Sequence, residues 1–112
     1  MEMTVEELPN GVTKAALKGR MDIEGAQAVD VRFNVLAGAK RKLVVDLREL
    51  DFIASMGLRT LMVCARTITS KGGKIAFANA QPNVLKVLSS SGIGEVVSVN
   101  PTLDAAVAAV GG

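Results

Sequence analysis

The run Leu43-Val-Val-Asp-Leu47, followed after a short interval by a helical repeat of apolar residues, narrows the possible folds more than any other feature of this chain. The run is apolar and rich in β-branched residues but lacks clean alternation, the pattern of a central strand covered on both faces. Leu58, Leu61, Met62, Ala65 and Ile68 then recur at the three- and four-residue spacing of an amphipathic helix, ended by Lys71-Gly72-Gly73. Residues 48–57 are read as the connection between them. A strand buried on both sides requires layers of helix against a sheet, so an α/β architecture is expected.

The rest of the chain fits that frame. Met3 to Leu8 and Val12 to Lys18 read as strands joined by the turn residues Pro9-Asn10-Gly11, so the chain opens with a β-hairpin. Ala26, Val29, Phe33 and Leu36 mark one face of a helix from Ile23 to about Ala37, with Gly38 as its stop. Lys74 to Ala78 reads as a strand, Pro82 to Ser89 as a short helix, Glu95 to Val99 as the last strand, and Pro101 to Val110 as a final helix. The expectation is one domain over residues 1–112: a mixed sheet of about five strands, parallel in its later part with right-handed crossovers, and about four helices packed against it.

Composition removes several classes of function. Histidine is absent, which eliminates Ser/His/Asp and Cys/His nucleophile systems and most zinc sites. Cys64, the only cysteine, lies within a helical apolar pattern and reads as a buried, inert thiol in a reducing cytoplasm. A net charge of +2, evenly scattered, with three Phe and neither Trp nor Tyr, leaves no footprint or stacking platform for nucleic acid. The acidic start Met-Glu-Met-Thr-Val-Glu-Glu lacks the pattern of a signal peptide, and no apolar run is long enough for membrane insertion.

Phosphate and metal motifs fail on inspection. Lys71-Gly-Gly-Lys74 is followed by Ile75 where a phosphate loop needs Ser or Thr, and Gly92-Ile-Gly94 precedes a strand, the wrong order for a dinucleotide fingerprint. Asp22, Glu24, Asp30, Asp46, Glu49 and Asp51 match no metal-ligand spacing. Asp46, near a strand end, and Asp51, in a turn, read as local backbone acceptors. No cofactor, metal or catalytic residue is assigned, and an enzyme is not expected. Ser55 stands just before the helical repeat, where its hydroxyl can serve as a helix cap, while Gly57 keeps the loop slim.

The segment Phe52-Ile-Ala-Ser-Met-Gly-Leu58 resembles the signature of the STAS family, in which a strand ending in Asp-Leu leads to Asp-Ser-Ser/Thr-Gly-Leu at a helix start. Gly19-Arg-Met-Asp22, Lys71-Gly-Gly-Lys-Ile75 and Ser91-Gly-Ile93 resemble further family segments in the same order, so the likeness covers nearly the whole chain. It implies a bacterial anti-sigma factor antagonist that acts by partner switching. Such a protein binds an anti-sigma factor that is also a serine kinase of the ATP-binding type, is released when one serine is phosphorylated, and is restored by a PP2C-like serine phosphatase. Ser55 aligns with that serine. The implied contact surface is Asp22, Ile53, Ala54, Ser55, Met56, Gly57, Leu58 and Arg59. Ala54 stands where the family usually has Asp, and Met56 where it has Ser or Thr, so the loop is less acidic and more apolar. The alternative within the same fold is a STAS accessory subunit of an ABC-type lipid transport complex, not regulated by phosphorylation.

Overall fold

A computed structural model describes residues 1–112. Five strands form one sheet in sequential order: β1 (Glu2–Glu7), β2 (Thr13–Met21), β3 (Lys42–Ile53), β4 (Lys74–Ala78) and β5 (Ser98–Asn100). β1 and β2 pair antiparallel across the Pro9–Gly11 turn, where Asn10 and Gly11 take positive φ; every later pair is parallel. The four helices are α1 (Ile23–Ala39), α2 (Ser55–Ser70), α3 (Pro82–Ser91) and α4 (Leu103–Ala109). The sheet class, the opening hairpin and the helix count are those expected from the sequence.

Parallel strands laid down in order, each joined to the next by a helix of the same crossover hand, place the connecting helices on one face. Accordingly α1, α2 and α3 bury Ala26, Val29, Phe33, Leu61, Cys64, Ile68, Val84 and Leu88 against Leu17, Leu43, Val45, Leu47 and Phe77 of the sheet. The other face carries only α4, whose Ala106, with Val110 just past the helix end, closes a smaller cluster with Val12, Val44, Ala76 and Ala78. β3 is therefore covered on both sides, as its composition requires.

β2 runs on to Met21, α3 to Ser91, and the last helix begins at Leu103 instead of Pro101; four further differences from the sequence reading bear on the site. First, the connection expected at residues 48–57 is mostly strand: β3 runs on to Ile53, and Asp51 lies in that strand, not in a turn. The pairing register of β2 with β3 shifts twice, between Ala16 and Lys18 and between Gly19 and Arg20, leaving extra residues on β3. These irregularities turn Leu47, Leu50 and Ile53 inward at three-residue intervals, which hides the strand from a search for alternation. Second, Gly38 does not stop α1. The Lys71 ammonium donates to the carbonyls of Ala37 (2.7 Å) and Gly38 (2.5 Å), satisfying the helix end without a left-handed residue.

Third, Glu95 to Val97 are not strand. Gly92, at φ 79°, ends α3 and starts a 3-10 turn over Ile93–Glu95, and the N–H groups of Val96 and Val97 both donate to Ile93 O at 3.0 Å. Those donors are spent before pairing with β4 begins at Ser98. Fourth, Ser55 is not a cap but the first residue of α2.

β3 overhangs β4 by the stretch from Leu47 to Ile53. On that side side-chain amides replace strand pairing: Gln81 Nε2 donates to Arg48 O at 2.9 Å and Asn83 Nδ2 to Asp51 O at 2.7 Å. On the other side β2 continues alongside, to Met21↔Ile53.

Candidate functional site

β2 and β3 end together, and each gives rise to a helix at that end. At the end of β2, Asp22 caps α1: its Oδ1 accepts a hydrogen bond from Gly25 N at 2.8 Å. At the end of β3, Ala54 occupies the corresponding position before α2 and offers no side-chain acceptor. Ala54 N donates to Met21 O at 3.0 Å, tying the two ends together. The first backbone bond of α2 runs from Leu58 N to Ala54 O, so the N–H groups of Ser55, Met56 and Gly57 have no intrahelical partner.

Two glycines permit this close approach. A Cβ on Gly57 would lie 2.8 Å from Met21 Cγ, 2.9 Å from Met21 O and 3.0 Å from Ile53 Cγ1. A Cβ on Gly25, at the equivalent place in α1, would collide with Arg20 O. Both helix starts are thus seated directly on the last backbone carbonyls of β2.

The expected contact residues separate into two groups. Asp22, Ala54, Ser55, Met56, Leu58 and Arg59 are brought together with at least part of each accessible, and Ser55 and Arg59 are exposed. Ile53 and Gly57 are buried and shape the corner from beneath instead of presenting themselves on it. The hydroxyl of Ser55 makes no hydrogen bond that would hold it as a cap. It is exposed at the amino end of a 16-residue helix.

Two neighbours of the corner were not foreseen from the sequence. Ile23, next to Asp22, is 58% exposed, an apolar side chain at the first position of α1. Beside Leu58, α3 contributes Lys86, Val87, Ser90 and Ser91 to a shallow depression. The alternation of strands and helices brings α3 to this place, but nothing local in its sequence signals it. Cys64 is fully buried in α2, and burial pushes its thiol up to about 12. The Asp46 carboxylate accepts from Arg48 N at 3.1 Å, as expected of a local backbone acceptor, and also from Asn79 Nδ2 at 3.2 Å.

Comparison with known proteins now decides the family: the STAS domain family model matches residues 4–106. The chain belongs to the STAS family. A curated relative from Bordetella bronchiseptica, BtrV, named as a candidate anti-sigma factor antagonist, is 27% identical over 110 residues, covering 97% of this chain and 94% of its own. The anti-sigma F factor antagonist of Paenibacillus polymyxa is 26% identical over 102 residues, with 88% of this chain and 87% of the relative covered. Among solved structures, an anti-sigma factor antagonist from Mycobacterium paratuberculosis superposes with a TM-score of 0.86 at 26% identity, covering 97% of this chain and 92% of that one. This STAS domain thus shares its fold and nearly its full extent with proteins named for antagonism of anti-sigma factors. No helix in it is long and apolar enough to cross a membrane.

Proposed function

We propose that this STAS domain is an anti-sigma factor antagonist that acts by partner switching in the cytoplasm, with Ser55 as its phosphoacceptor. Unmodified, it binds an anti-sigma factor that is also a serine kinase of the ATP-binding type, through Asp22 and the accessible residues Ala54 to Arg59. The kinase moves the γ-phosphoryl group of ATP to Ser55 Oγ, which gives up its proton as ADP leaves, and the modified protein dissociates. A PP2C-like phosphatase hydrolyses the phosphoester and returns the binding form. The chemistry belongs to those partners; this chain contributes a surface.

The observation that carries this reading is Ser55 exposed at the first position of α2, with three backbone N–H groups free in the same turn. A phosphoserine brings about −1.5 to −2 charges at neutral pH. In the isolated domain the free N–H groups and the helix dipole accommodate that charge and favour it by roughly 0.3–1 kcal/mol. Arg59, one turn along the same side of the helix, adds a cation within side-chain reach. Inside a complex the dianion loses its water, and binding weakens. A penalty of about 3 kcal/mol is roughly a 150-fold loss of affinity, enough to redistribute a shared partner.

The replacement of an acidic residue by Ala54 and of a hydroxyl by Met56 shifts recognition toward apolar contact, with Met56 38% exposed beside Ser55. An accessory role in a lipid transport complex is not favoured, because two relatives that match over 97% and 88% of the chain are named as anti-sigma factor antagonists. The test is incubation with the cognate kinase and ATP, read by intact mass. Phosphate should appear on Ser55, and Ser55→Asp should lower partner affinity about 100-fold or more with the unfolding midpoint nearly unchanged. Wild-type affinity in Ser55→Asp would refute the switch.

A further inference from the structure

We propose that the outer face of α1 and α2 is a self-complementary surface on which a second copy of this chain docks about a two-fold axis. Five of the seven large apolar side chains exposed on the molecule lie on these two helices: Ile23, Val31 and Val35 on α1, Met56 and Val63 on α2. Val31 is 70% and Val35 64% exposed, so neither side chain serves to pack α1 on its own sheet. Val31, Met56 and Val63 line one depression between the helices, together with Gln27, Asn34 and Arg59.

Charge specifies the occupant. α2 carries Arg59 and Arg66 on its exposed side and contains no acidic residue, whereas α1 exposes Glu24 and Asp30. None of these four forms an ion pair within the chain. The one cation of α1, Arg32, is turned aside to donate to Met3 O at 2.6 Å. A partner covering both helices must bring a basic apolar ridge to α1 and an acidic apolar ridge to α2. This chain already holds both: a two-fold operation lays α1 of one copy over α2 of the other, and every favourable contact is made twice.

The expected strength follows from size. Helices of 17 and 16 residues are about 25 Å long, and with axes about 9 Å apart they present roughly 500 Å² per copy, the lower end of specific interfaces. The dimer is therefore expected at the weak, transient end of specific interfaces. Met56 and Arg59 belong both to this face and to the Ser55 corner, so a docked second copy excludes the switching partner; that consequence rests on the proposed function, the dimer itself does not.

Sedimentation velocity of the purified full chain from about 5 to about 500 µM should show monomer giving way to dimer. Val31→Asp and Val63→Asp, both at exposed positions, should each weaken association at least about tenfold with unchanged unfolding midpoints. Val31→Asp, which lies outside the Ser55 corner, should still bind the switching partner as wild type does. A single monomer boundary at every concentration, or a dimer unaffected by Val31→Asp, overturns the proposal. So does loss of partner binding in Val31→Asp, which would assign the face to that partner. Failure of Ser55 phosphorylation would count against the switching function and leave the sedimentation result standing.

Discussion

The two helix starts at the end of β2 and β3 are built alike and finished differently. Each helix has a glycine at its third position seated on a β2 carbonyl, Gly25 on Arg20 and Gly57 on Met21. Yet α1 is closed by the Asp22 carboxylate at 2.8 Å from Gly25 N, while α2 has no side-chain cap at all. The closed start is a fixed support. The open start keeps its donors free at the very place where an exposed serine begins the helix, so an unmet structural need on one side becomes a ready acceptor for added negative charge.

The largest test of this pairing is steric. Gly57→Val forces its branched side chain into Met21 and Ile53, and should cost about 2–3 kcal/mol of stability, measured by denaturant unfolding. Partner binding should fall with it, since α2 would be pushed off the β2 end. Cys64 offers an independent reading: buried in α2, it should resist thiol reagents in the native protein and label readily when α2 is displaced. A Gly57→Val protein with native stability and a silent Cys64 would break the claim that close contact sets the corner.

Next comes the cap that exists. Asp22→Ala should lower stability by about 1 kcal/mol, because Gly25 N loses its acceptor. The cap that is missing predicts the opposite sign: Ala54→Asp supplies an acceptor before α2 and should raise stability by roughly 0.5–1 kcal/mol. The same carboxylate occupies the first-turn donors, so Ala54→Asp should remove part of the advantage that the proposed phosphorylation of Ser55 would give the isolated domain. Equal responses of the two positions would erase the distinction between closed and open starts.

Much of this corner was legible in the sequence because its parts obey local rules. The helical spacing of Leu61, Ala65 and Ile68 survives in the structure as the buried face of α2, and the Lys71-Gly72-Gly73 ending holds, with Gly72 at φ 80°. What was not legible depends on contacts from afar. The far half of β3 follows the register shifts of β2, which no property of residues 48–53 announces. Gly38 looks like a helix stop until Lys71, distant in sequence, supplies the missing donors. Ser55 looks like a cap by residue type, but the close seat of Gly57 on Met21 draws the helix start forward, and the serine becomes its first residue.

The smallest effect at neutral pH concerns Cys64 itself. Burial raises its thiol to about 12 from an ordinary 9.0. The folded state favours the protonated thiol, so its contribution is whole below pH 9 and is lost as pH rises from there toward 12. Unfolding midpoints should be flat on this account between pH 7 and 9, then decline, and a Cys64→Ala protein should decline less steeply. Coincident curves would show that alkaline loss arises elsewhere.

The overhang of β3 beyond β4 has a mechanical consequence. Ser55 sits at the tip of a beam flanked on one side by β2, whose pairing shifts register twice yet runs on to Met21↔Ile53, and on the other only by the amide groups of Gln81 and Asn83. Load applied at the tip is resisted on one side by backbone and on the other by two side chains that also anchor the first turn of α3. A docking molecule that tilts the tip therefore acts on α3 through the hydrogen bonds of Gln81 and Asn83.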